Sequence, residues 1–348
     1  MSKTIAIFRT GGIGDVILST VSIQIIYRVY PHAKIVWFGR EPTLTLIKSV
    51  FKNIDVYEIS SNRTYFENLK IVLNSVPKID TIIDLQHSAR TLILGKIASL
   101  ILGCQYTTWN KYSIERSLLV IQSFIRSRTS HFDWLKNELP NRYDAMAKCT
   151  YKALNKISST PIVYQVEIPT FLNLISEKKS ETVSICLGAK FLSKALPIDK
   201  IKTIIEIIIS KTVVRKFHLI GDENQRKNAD SIMAHFEKKA HFLNHCGLTT
   251  LTEAAKLLSS SKYSITNDSG LSHLSETVNT PVITFFGPTH PKFGYRPFLK
   301  NSLILSVDIG CRPCNKNGDV KCRFGDHACS KQIDFQQMEK LILNINHA

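Results

Sequence analysis

The sequence predicts an α/β protein made of two doubly wound domains, each with its own parallel sheet. Its 348 residues are enough for two domains of ordinary size. In both halves, short β-branched runs alternate with longer helical patterns, an order typical of parallel strands joined by right-handed crossovers. Between the halves, residues 155–182 become rich in Ser, Pro and charge, which indicates an interdomain linker.

The first half opens with an apolar run over residues 4–8, followed by a helical pattern from about Asp15 to Tyr30. That pattern is apolar on most of its circumference and stops before Pro31, so we expect it to pack closely on the sheet. The remaining predicted elements are strands over 34–38, 56–59 and 81–85, with helices from about 43 and over 65–74.

The alternation restarts after the linker and ends in an amphipathic segment, Phe335 to Ile345. Predicted strands cover 183–187, 216–220, 263–266 and 282–286, and predicted helices cover about 198–210, 224–238 and 269–278. We therefore expect domains over 1–165 and 183–332, a linker over 166–182, and a closing helix over 333–348. Two such sheets would bind ligands in a cleft at the carboxyl ends of their strands.

Charge and hydropathy narrow the class of protein. Lysine and arginine number 45 against 28 acidic residues, a net charge of +17, which favours phosphorylated substrates, nucleic acid or an acidic membrane surface as partners. No segment reaches the roughly 18 uncharged apolar residues of a membrane span. The N-terminus enters a strand without the pattern of a signal peptide. We expect a cytoplasmic protein.

The eight cysteines form two groups. Cys104, Cys149, Cys186 and Cys246 lie in apolar surroundings and are read as small buried residues. The other four follow the spacing C-x2-C-x7-C-x6-C, at Cys311, Cys314, Cys322 and Cys329. This spacing is compatible with a tetrahedral zinc or iron site, while reduced thiols packed in a loop and disulfides remain the alternatives.

A glycine-rich turn follows the first strand, with Gly11, Gly12 and Gly14 ahead of Asp15. It matches neither a P-loop nor the G-x-G-x-x-G fingerprint. Asp15 has two readings. It could simply favour the helix dipole, or it could act as a general base, with the glycines leaving room for a hydroxyl-bearing acceptor.

The second half contains a comparable turn at Asp268-Ser269-Gly270-Leu271, where a predicted strand ends and a helix begins. The first backbone N–H groups of a helix have no intrahelical partner and can hold a phosphate. The structural alternative is that Asp268 or Ser269 only caps the helix and that His273 is a core histidine.

Taken together, these segments resemble the ADP-heptose:lipopolysaccharide heptosyltransferases, glycosyltransferase family 9, and most closely the heptosyltransferase II branch. The resemblance runs nearly end to end. It is carried by Gly14-Asp15, Ile83-Asp84-Leu85-Gln86, Gly188-Ala189…Lys194-Ala195-Leu196-Pro197, Asp268 to His273, and Phe286 to Pro291. Two positions depart from the family pattern, since Leu196 replaces Trp and His87 replaces Gly. The cysteine segment also resembles one in the heptosyltransferase II branch, where a metal is not generally implied.

The resemblance implies a GT-B fold, with two Rossmann-like domains facing an interdomain cleft, the first binding the acceptor and the second the ADP-sugar. It implies an inverting transfer of heptose from ADP-L-glycero-D-manno-heptose to the heptose or Kdo of the lipopolysaccharide or lipooligosaccharide inner core. Asp15 would be the base beside the acceptor-side turn. The implied donor-side residues are Gly188, Ala189, Lys194, Glu223, Asp268, Ser269, Gly270, Leu271 and His273.

Individual roles follow the same resemblance. Lys194 would be a mobile cation at the diphosphate, His273 would face it, Glu223 would bind the ribose, and Asp268 would hold the turn or reach a sugar hydroxyl. No Asp-x-Asp occurs in the chain, so a divalent-cation clamp is not supported. We expect catalysis without a cofactor, with structural zinc or iron at the cysteines as a separate alternative.

Residues 105–130 carry four basic residues and a single acid, Glu115, interleaved with aromatic residues; the basic ones are Lys111, Arg116, Arg126 and Arg128. The stretch is either a solvated helix face or a surface that contacts the lipid acceptor and the anionic inner membrane of a Gram-negative bacterium. Rival functions are a transferase for a protein or another glycan, a non-catalytic nucleotide-sugar binder, and a nucleic-acid binder. We expect no nucleic-acid partner because no recognisable module is present.

Overall fold

The structure is a computed structural model that describes residues 3–125 and 138–347. The chain forms two compact units: the first contains residues 1–111 and 140–171, and the second contains residues 112–139 and 172–348. The chain thus enters the second unit, returns to the first, and enters the second again. The domain boundaries predicted from the sequence assign all of residues 1–165 to the first domain, so they do not include this excursion into the second unit.

The first unit is built on a five-stranded parallel sheet in the order β3-β2-β1-β4-β5. Its central strand has the sequence TIAIF and is buried after its first residue, as expected of a strand covered on both faces. The strands are β1 (Thr4–Phe8), β2 (Lys34–Gly39), β3 (Ile54–Glu58), β4 (Thr81–Asp84) and β5 (Gln105–Thr108).

Helices connect these strands, and several begin at side-chain caps. Thr64 and Glu67 form a capping box at the start of one helix, and Ser88 and Thr91 form another. The helices are α1 (Ile13–Ser19), α2 (Val21–Val29), α3 (Thr43–Val50), α4 (Tyr65–Asn74) and α5 (Ala89–Leu102). The single predicted helix over 15–30 is two helices, because the hydroxyls of Ser19 and Thr20 bond back to Val16 and Ile17 where α1 ends.

The excursion into the second unit carries α6 (Ser113–Ile125). Leu119 and Leu139 are buried in a small cluster with Phe293. The Ser123 hydroxyl donates to the Pro313 carbonyl at 2.7 Å. The chain then returns to the first unit with α7 (Arg142–Asn155), whose Thr150 hydroxyl bonds Ser22 at 2.7 Å.

The second unit contains a six-stranded parallel sheet in the order β11-β10-β9-β6-β7-β8. The strands are β6 (Ser180–Cys186), β7 (Lys216–Ile220), β8 (His241–Asn244), β9 (Ser261–Asn267), β10 (Val282–Phe285) and β11 (Leu303–Leu305). The strand order reverses between β6 and β9, and in the first unit between β1 and β4. Such switch points open a crevice at the carboxyl ends of the strands.

The helices of the second unit are α8 (Ile198–Lys211), α9 (Arg226–Phe236), α10 (Leu251–Ser260), α11 (Gly270–Thr277), α12 (Ala328–Lys331) and α13 (Phe335–His347). Isoleucines on one face of α8 enter the core with Phe217, Met338 and Ile342, so α13 closes this core as the amphipathic pattern predicts. Across residues 3–125 and 138–347, none of the helices combines the length and the apolar character needed to cross a membrane.

Candidate functional site

The glycine-rich turn of the first unit lies between β1 and α1, at the switch point of the sheet. None of its glycines adopts a positive φ, and at Gly11 the turn uses the small size of glycine. A Cβ on Gly11 would lie 3.1 Å from the Gln86 amide oxygen, whereas a Cβ on Gly12 would meet nothing within 4 Å. Gly12, the N-cap of α1, therefore borders open space.

Asp15, in the first turn of α1, pairs with Arg9 at 2.8 Å. The Arg9 side chain is 1% exposed and also donates to the Leu85 carbonyl, while the Asp15 side chain is 26% exposed. A buried guanidinium thus orients the carboxylate and balances its charge from the protein side. Arg9 was not identified from the sequence, although a charged residue directly after a fully apolar strand is a signal that could have found it.

Two further cations lie near Asp15 in the same unit. Arg142, at the start of α7, stacks over the Trp109 ring at 4.4 Å and donates to the Lys111 carbonyl. Burial, followed by the charge of Arg9, lowers the pKa of Lys111 to about 8, and Asp15 counteracts this shift. This electropositive surrounding suits an anionic group placed beside Asp15.

The turn after β4 supports the glycine-rich turn. Buried Asp84 accepts the backbone N–H groups of Gln86 and His87, and Gln86 accepts the N–H of Thr10 at 3.2 Å. His87 has φ 46°, in the left-handed region that favours glycine. This is the position where the resemblance expects Gly, so the backbone conformation accounts for that preference. The His87 ring contacts the Thr108 hydroxyl at 2.9 Å.

In the second unit, the predicted donor-side turn lies between β9 and α11, at that sheet's switch point. Lys194 Nζ pairs with Asp268 Oδ2 at 2.8 Å, and Thr289 Oγ1 donates to the same oxygen at 2.7 Å. Both partners of the ion pair are largely buried. The structure thus brings Lys194 and Asp268 together. It also adds Thr289, which the sequence analysis quoted only within the Phe286 to Pro291 match.

Ser269 is the N-cap of α11 in an extended conformation, but its side chain makes no capping bond. Its hydroxyl is buried and hydrogen-bonds to no other described protein atom. Gly270 and Leu271 form the first turn of the helix, whose leading N–H groups are the ones a phosphate can use. His273 is buried, with its ring 6.1 Å from that of Tyr295.

A buried asparagine organises this turn and was missed as a site residue. Asn267 accepts the N–H of Leu196 at 2.9 Å and donates to the Leu187 and Gly188 carbonyls at 3.1 and 3.2 Å. It fixes the segments before Ala189 and after Lys194 against β9. The sequence signal was its place, directly after the predicted strand over 263–266 and directly before Asp268. Leu196, in the family's Trp position, belongs to the core.

Strands β9, β6 and β7 are neighbours in the parallel sheet, so their carboxyl ends lie side by side. Glu223 comes just after β7 and therefore lies at this edge of the sheet. Its side chain is exposed and pairs with Arg226 at 3.3 Å. Gly247 has φ 72°, and a Cβ there would lie only 2.0 Å from a Glu223 carboxylate oxygen. Glycine is therefore required for Glu223 to hold this position.

The four clustered cysteines are free thiols. Buried Arg312 lies among Cys329, Cys311 and Cys314 and donates to the Phe286 carbonyl. Burial raises the pKa of Cys329 to about 11. Within residues 3–125 and 138–347, no three His, Cys, Asp or Glu side chains form a group that could hold a metal ion. Structural zinc or iron at these cysteines therefore stays a prediction.

The basic stretch over 105–130 is divided between the two units. Lys111 belongs to the first, and Arg116 belongs to the second, where it stacks on Phe293 at 5.1 Å. Neither side chain lies on a fully exposed face. Arg126 and Arg128 lie outside the described residues.

The chain is similar to known proteins over most of its length. The family model of glycosyltransferase family 9 (heptosyltransferase) matches residues 105–323, more than half of the chain. Lipopolysaccharide heptosyltransferase 1 of Campylobacter coli is 25% identical over 352 residues, covering 97% of each chain.

Solved structures confirm the predicted GT-B fold class, with two parallel-sheet α/β domains. The chain matches E. coli ADP-heptose LPS heptosyltransferase II with a TM-score of 0.66 at 17% identity, covering 99% of this chain and 100% of that one. It matches E. coli heptosyltransferase WaaC with ADP with a TM-score of 0.67 at 16% identity, covering 98% and 99%. The chain therefore belongs to glycosyltransferase family 9, the heptosyltransferase family, and is a glycosyltransferase.

Proposed function

We propose that this glycosyltransferase moves heptose from ADP-L-glycero-D-manno-heptose to a heptose or Kdo of the lipopolysaccharide or lipooligosaccharide inner core, with inversion at the anomeric carbon. The observation that carries the proposal is the pair of strand-to-helix turns, one with a solvent-reachable carboxylate and one with helix amides beside a lysine. The names of the relatives, lipopolysaccharide heptosyltransferases among them, support the choice of sugar and acceptor.

On the donor side, the α11 amides of Gly270 and Leu271 would receive the diphosphate, with the Ser269 hydroxyl as a further donor. Support comes from the Ser269 side chain, which leaves the first turn uncapped. Lys194 would turn from Asp268 to the diphosphate when the nucleotide arrives, and Asp268 would hold the turn. Gly188 and Ala189 would let the donor approach the backbone, Glu223 would bind the ribose, and His273 would face the diphosphate.

On the acceptor side, Asp15 would be the base, and Gly12 would border the space for the incoming sugar. Arg9 orients the base, and Lys111 and Arg142 would attract a carboxylate or phosphate on the acceptor. Such anionic groups are carried by the inner core, which favours it over a neutral glycan as the acceptor.

The proposed reaction is one displacement. The acceptor hydroxyl gives its proton to the Asp15 carboxylate while its oxygen forms a bond to the anomeric carbon. The bond from that carbon to the diphosphate oxygen breaks on the opposite face, so the configuration inverts. The electron pair leaves with ADP, whose added negative charge is stabilised by Lys194 and the α11 amides.

We propose that no metal takes part in this step, since helix amides and Lys194 supply the positive charge that a divalent cation supplies elsewhere. Turnover should then survive a chelator. We further propose that Cys311, Cys314, Cys322 and Cys329 are reduced thiols that pack around Arg312. Metal analysis of protein purified without added ions tests this, and stoichiometric zinc or iron would reverse it.

The test of the function is a donor and acceptor screen. The purified chain is incubated with ADP-heptose, ADP-glucose or UDP-glucose, and with truncated lipopolysaccharides ending in Kdo or in one heptose. Mass spectrometry should detect one added heptose from ADP-heptose only, on one of the two acceptors, in the presence of EDTA. Transfer to neither acceptor would favour the rival reading, a transferase for a protein or another glycan.

A further inference from the structure

Helix α6, in the second unit, exposes most of its large apolar residues. Five large apolar side chains of this helix are between 38% and 75% exposed: Ile114, Leu118, Ile121, Phe124 and Ile125. Four of them recur at steps of four, three and four residues, which places them on one face of a helix. We call these five residues the α6 stripe.

The opposite face of α6 is anchored by polar contacts. Gln122 and Ser123 are buried, and the Ser123 hydroxyl bonds the Pro313 carbonyl. Arg116 donates to the Lys316 carbonyl at 3.2 Å and stacks between the rings of Phe293 and Tyr295. These contacts of the inner face fix the rotation of the helix about its axis. The α6 stripe, on the opposite face, is therefore directed outward. An ordinary surface helix has the reverse pattern.

A loop beside the stripe adds apolar and basic groups. Val320 and Phe324 are exposed, as are Lys321 and Arg323. Arg323 lies over the Phe124 ring at 5.0 Å and over the Phe324 ring at 4.9 Å. Near the other end of the helix, Lys316 Nζ donates to the Ser113 carbonyl at 3.0 Å. The stripe therefore has cations along its border.

The same loop reaches the donor-side turn. A Cβ on Gly318 would lie 2.9 Å from the Lys194 side chain, and the Ser193 hydroxyl donates to the Gly318 carbonyl. The loop beside the α6 stripe therefore also contacts Lys194, the lysine proposed to bind the diphosphate. All of these residues belong to the second unit.

We propose that the α6 stripe and its basic border form a membrane-docking surface, and that the occupant is the interface of a bilayer containing anionic lipids. An apolar helix face flanked by Lys and Arg is the composition of interfacial helices. Charge complementarity selects the bilayer over a second copy, because each copy carries a net charge of +17 and the same basic loop. The proposal rests on the proposed function only for the role of the docking surface, which is to hold the enzyme at the membrane that contains its lipid-linked acceptor.

The test measures binding of the full chain to vesicles of phosphatidylglycerol and phosphatidylethanolamine, without any acceptor, by flotation. Ile121→Asp and Ile114→Asp should each weaken binding about tenfold. Val213→Asp is the matched control, since it places the same charge at an exposed apolar residue of the same unit, and it should bind as the unmodified chain does. Thermal unfolding checks that each variant is folded.

The basic border is tested separately. Lys321→Glu should weaken binding about fivefold, while Lys238→Glu, an identical charge change at another exposed lysine, should weaken it less. Vesicles of phosphatidylcholine alone should bind poorly.

Three results would overturn the proposal: equal binding by Ile121→Asp and Val213→Asp, equal binding to neutral and anionic vesicles, or a solution dimer that Ile121→Asp dissociates while no variant binds vesicles. The last result would assign the stripe to a second copy. Transfer to a delipidated oligosaccharide acceptor is measured on the same samples. Its failure alone would reject the proposed function and leave the docking surface standing.

Discussion

The two strand-to-helix turns have the same plan and differ in what their carboxylates can do. Each follows a strand at its sheet's switch point, and each holds a carboxylate 2.8 Å from a cation. In the first turn the cation, Arg9, is fully buried and Asp15 is a quarter exposed. In the second turn Asp268 is buried and also accepts from Thr289, while its partner Lys194 sits on a flexible stem.

This difference supports the opposite roles that we propose for the two pairs. Asp15 keeps a surface that a hydroxyl can reach, so its carboxylate can accept a proton. Asp268 is held from two sides, and we propose that its lysine is the group that moves. The same motif of a carboxylate near the start of a helix is therefore a candidate base in one unit and a structural support in the other.

The largest expected effect is that of Asp15→Asn, which keeps the shape of the side chain and removes the proposed base. Transfer should fall about 10³-fold, while ADP binding, measured by calorimetry, should stay unchanged. The matched control is Asp268→Asn in the equivalent turn. It should lower the free energy of unfolding by about 2 kcal/mol and leave transfer by the folded enzyme within about tenfold of normal. Similar turnover in both variants would erase the distinction between the turns.

The second effect concerns the helix behind the donor-side turn. Glu276 of α11 is 1% exposed and accepts from the backbone of Phe298 and Leu299 and from Ser302, and burial raises its pKa to about 7. Because the folded chain holds this proton more tightly than the unfolded one, stability is lost as pH rises from about 4.5 to about 7. The loss is on the order of 3 kcal/mol.

Glu276→Gln keeps an acceptor for the same three donors and cannot ionise. Urea unfolding at pH 5 and pH 8 should therefore show a smaller difference in the variant than in the unmodified chain, and higher stability of the variant at pH 8. The control is Glu253→Gln, at an exposed helix-cap acid with a lowered pKa. It should not reduce the difference in stability between pH 5 and pH 8. Parallel profiles for Glu276→Gln and the unmodified chain would show that this carboxyl does not titrate in that range.

The third effect tests the moving cation. Lys194→Ala should raise the dissociation constant of ADP and lower kcat/KM by about 30-fold, since one charge at the leaving diphosphate is lost. Lys238→Ala, at an exposed lysine of the same unit, is the control and should change neither. If kinetics with Lys194→Ala matched those of the control, the diphosphate assignment would be wrong.

Both turns could be predicted from the sequence, but the ion pairs within them could not. Asp15, Lys194 and Asp268 were all predicted as site residues, yet spacing along a chain does not specify which side chains meet across a sheet. Arg9, Asn267 and Thr289 act through such long-range contacts, and their roles became visible only in the fold. The excursion of α6 was missed for the same reason, because its packing on Phe293 joins residues far apart in sequence.

Strand prediction failed at three of the four outermost strands of the described sheets and succeeded at the fourth, β3. Strands β5, β8 and β11 were not predicted, and each is an outermost strand. Their sequences, QYTT, HFLN and LIL, are short or mixed because an edge strand is only partly covered. The interior strands β1 and β10 are buried almost throughout and consist mainly of apolar residues, which is the pattern that sequence reasoning detects.

The smallest expected effect concerns the support of the first turn. His87 adopts φ 46° and bonds Thr108, so His87→Gly removes backbone strain of about 1 kcal/mol and loses one hydrogen bond of similar size. Its free energy of unfolding should match that of the unmodified chain. His87→Ala loses the bond and keeps the strain, so urea unfolding should place it about 1 kcal/mol lower. If Ala and Gly were equal at this position, the left-handed backbone would not explain why the family prefers glycine there.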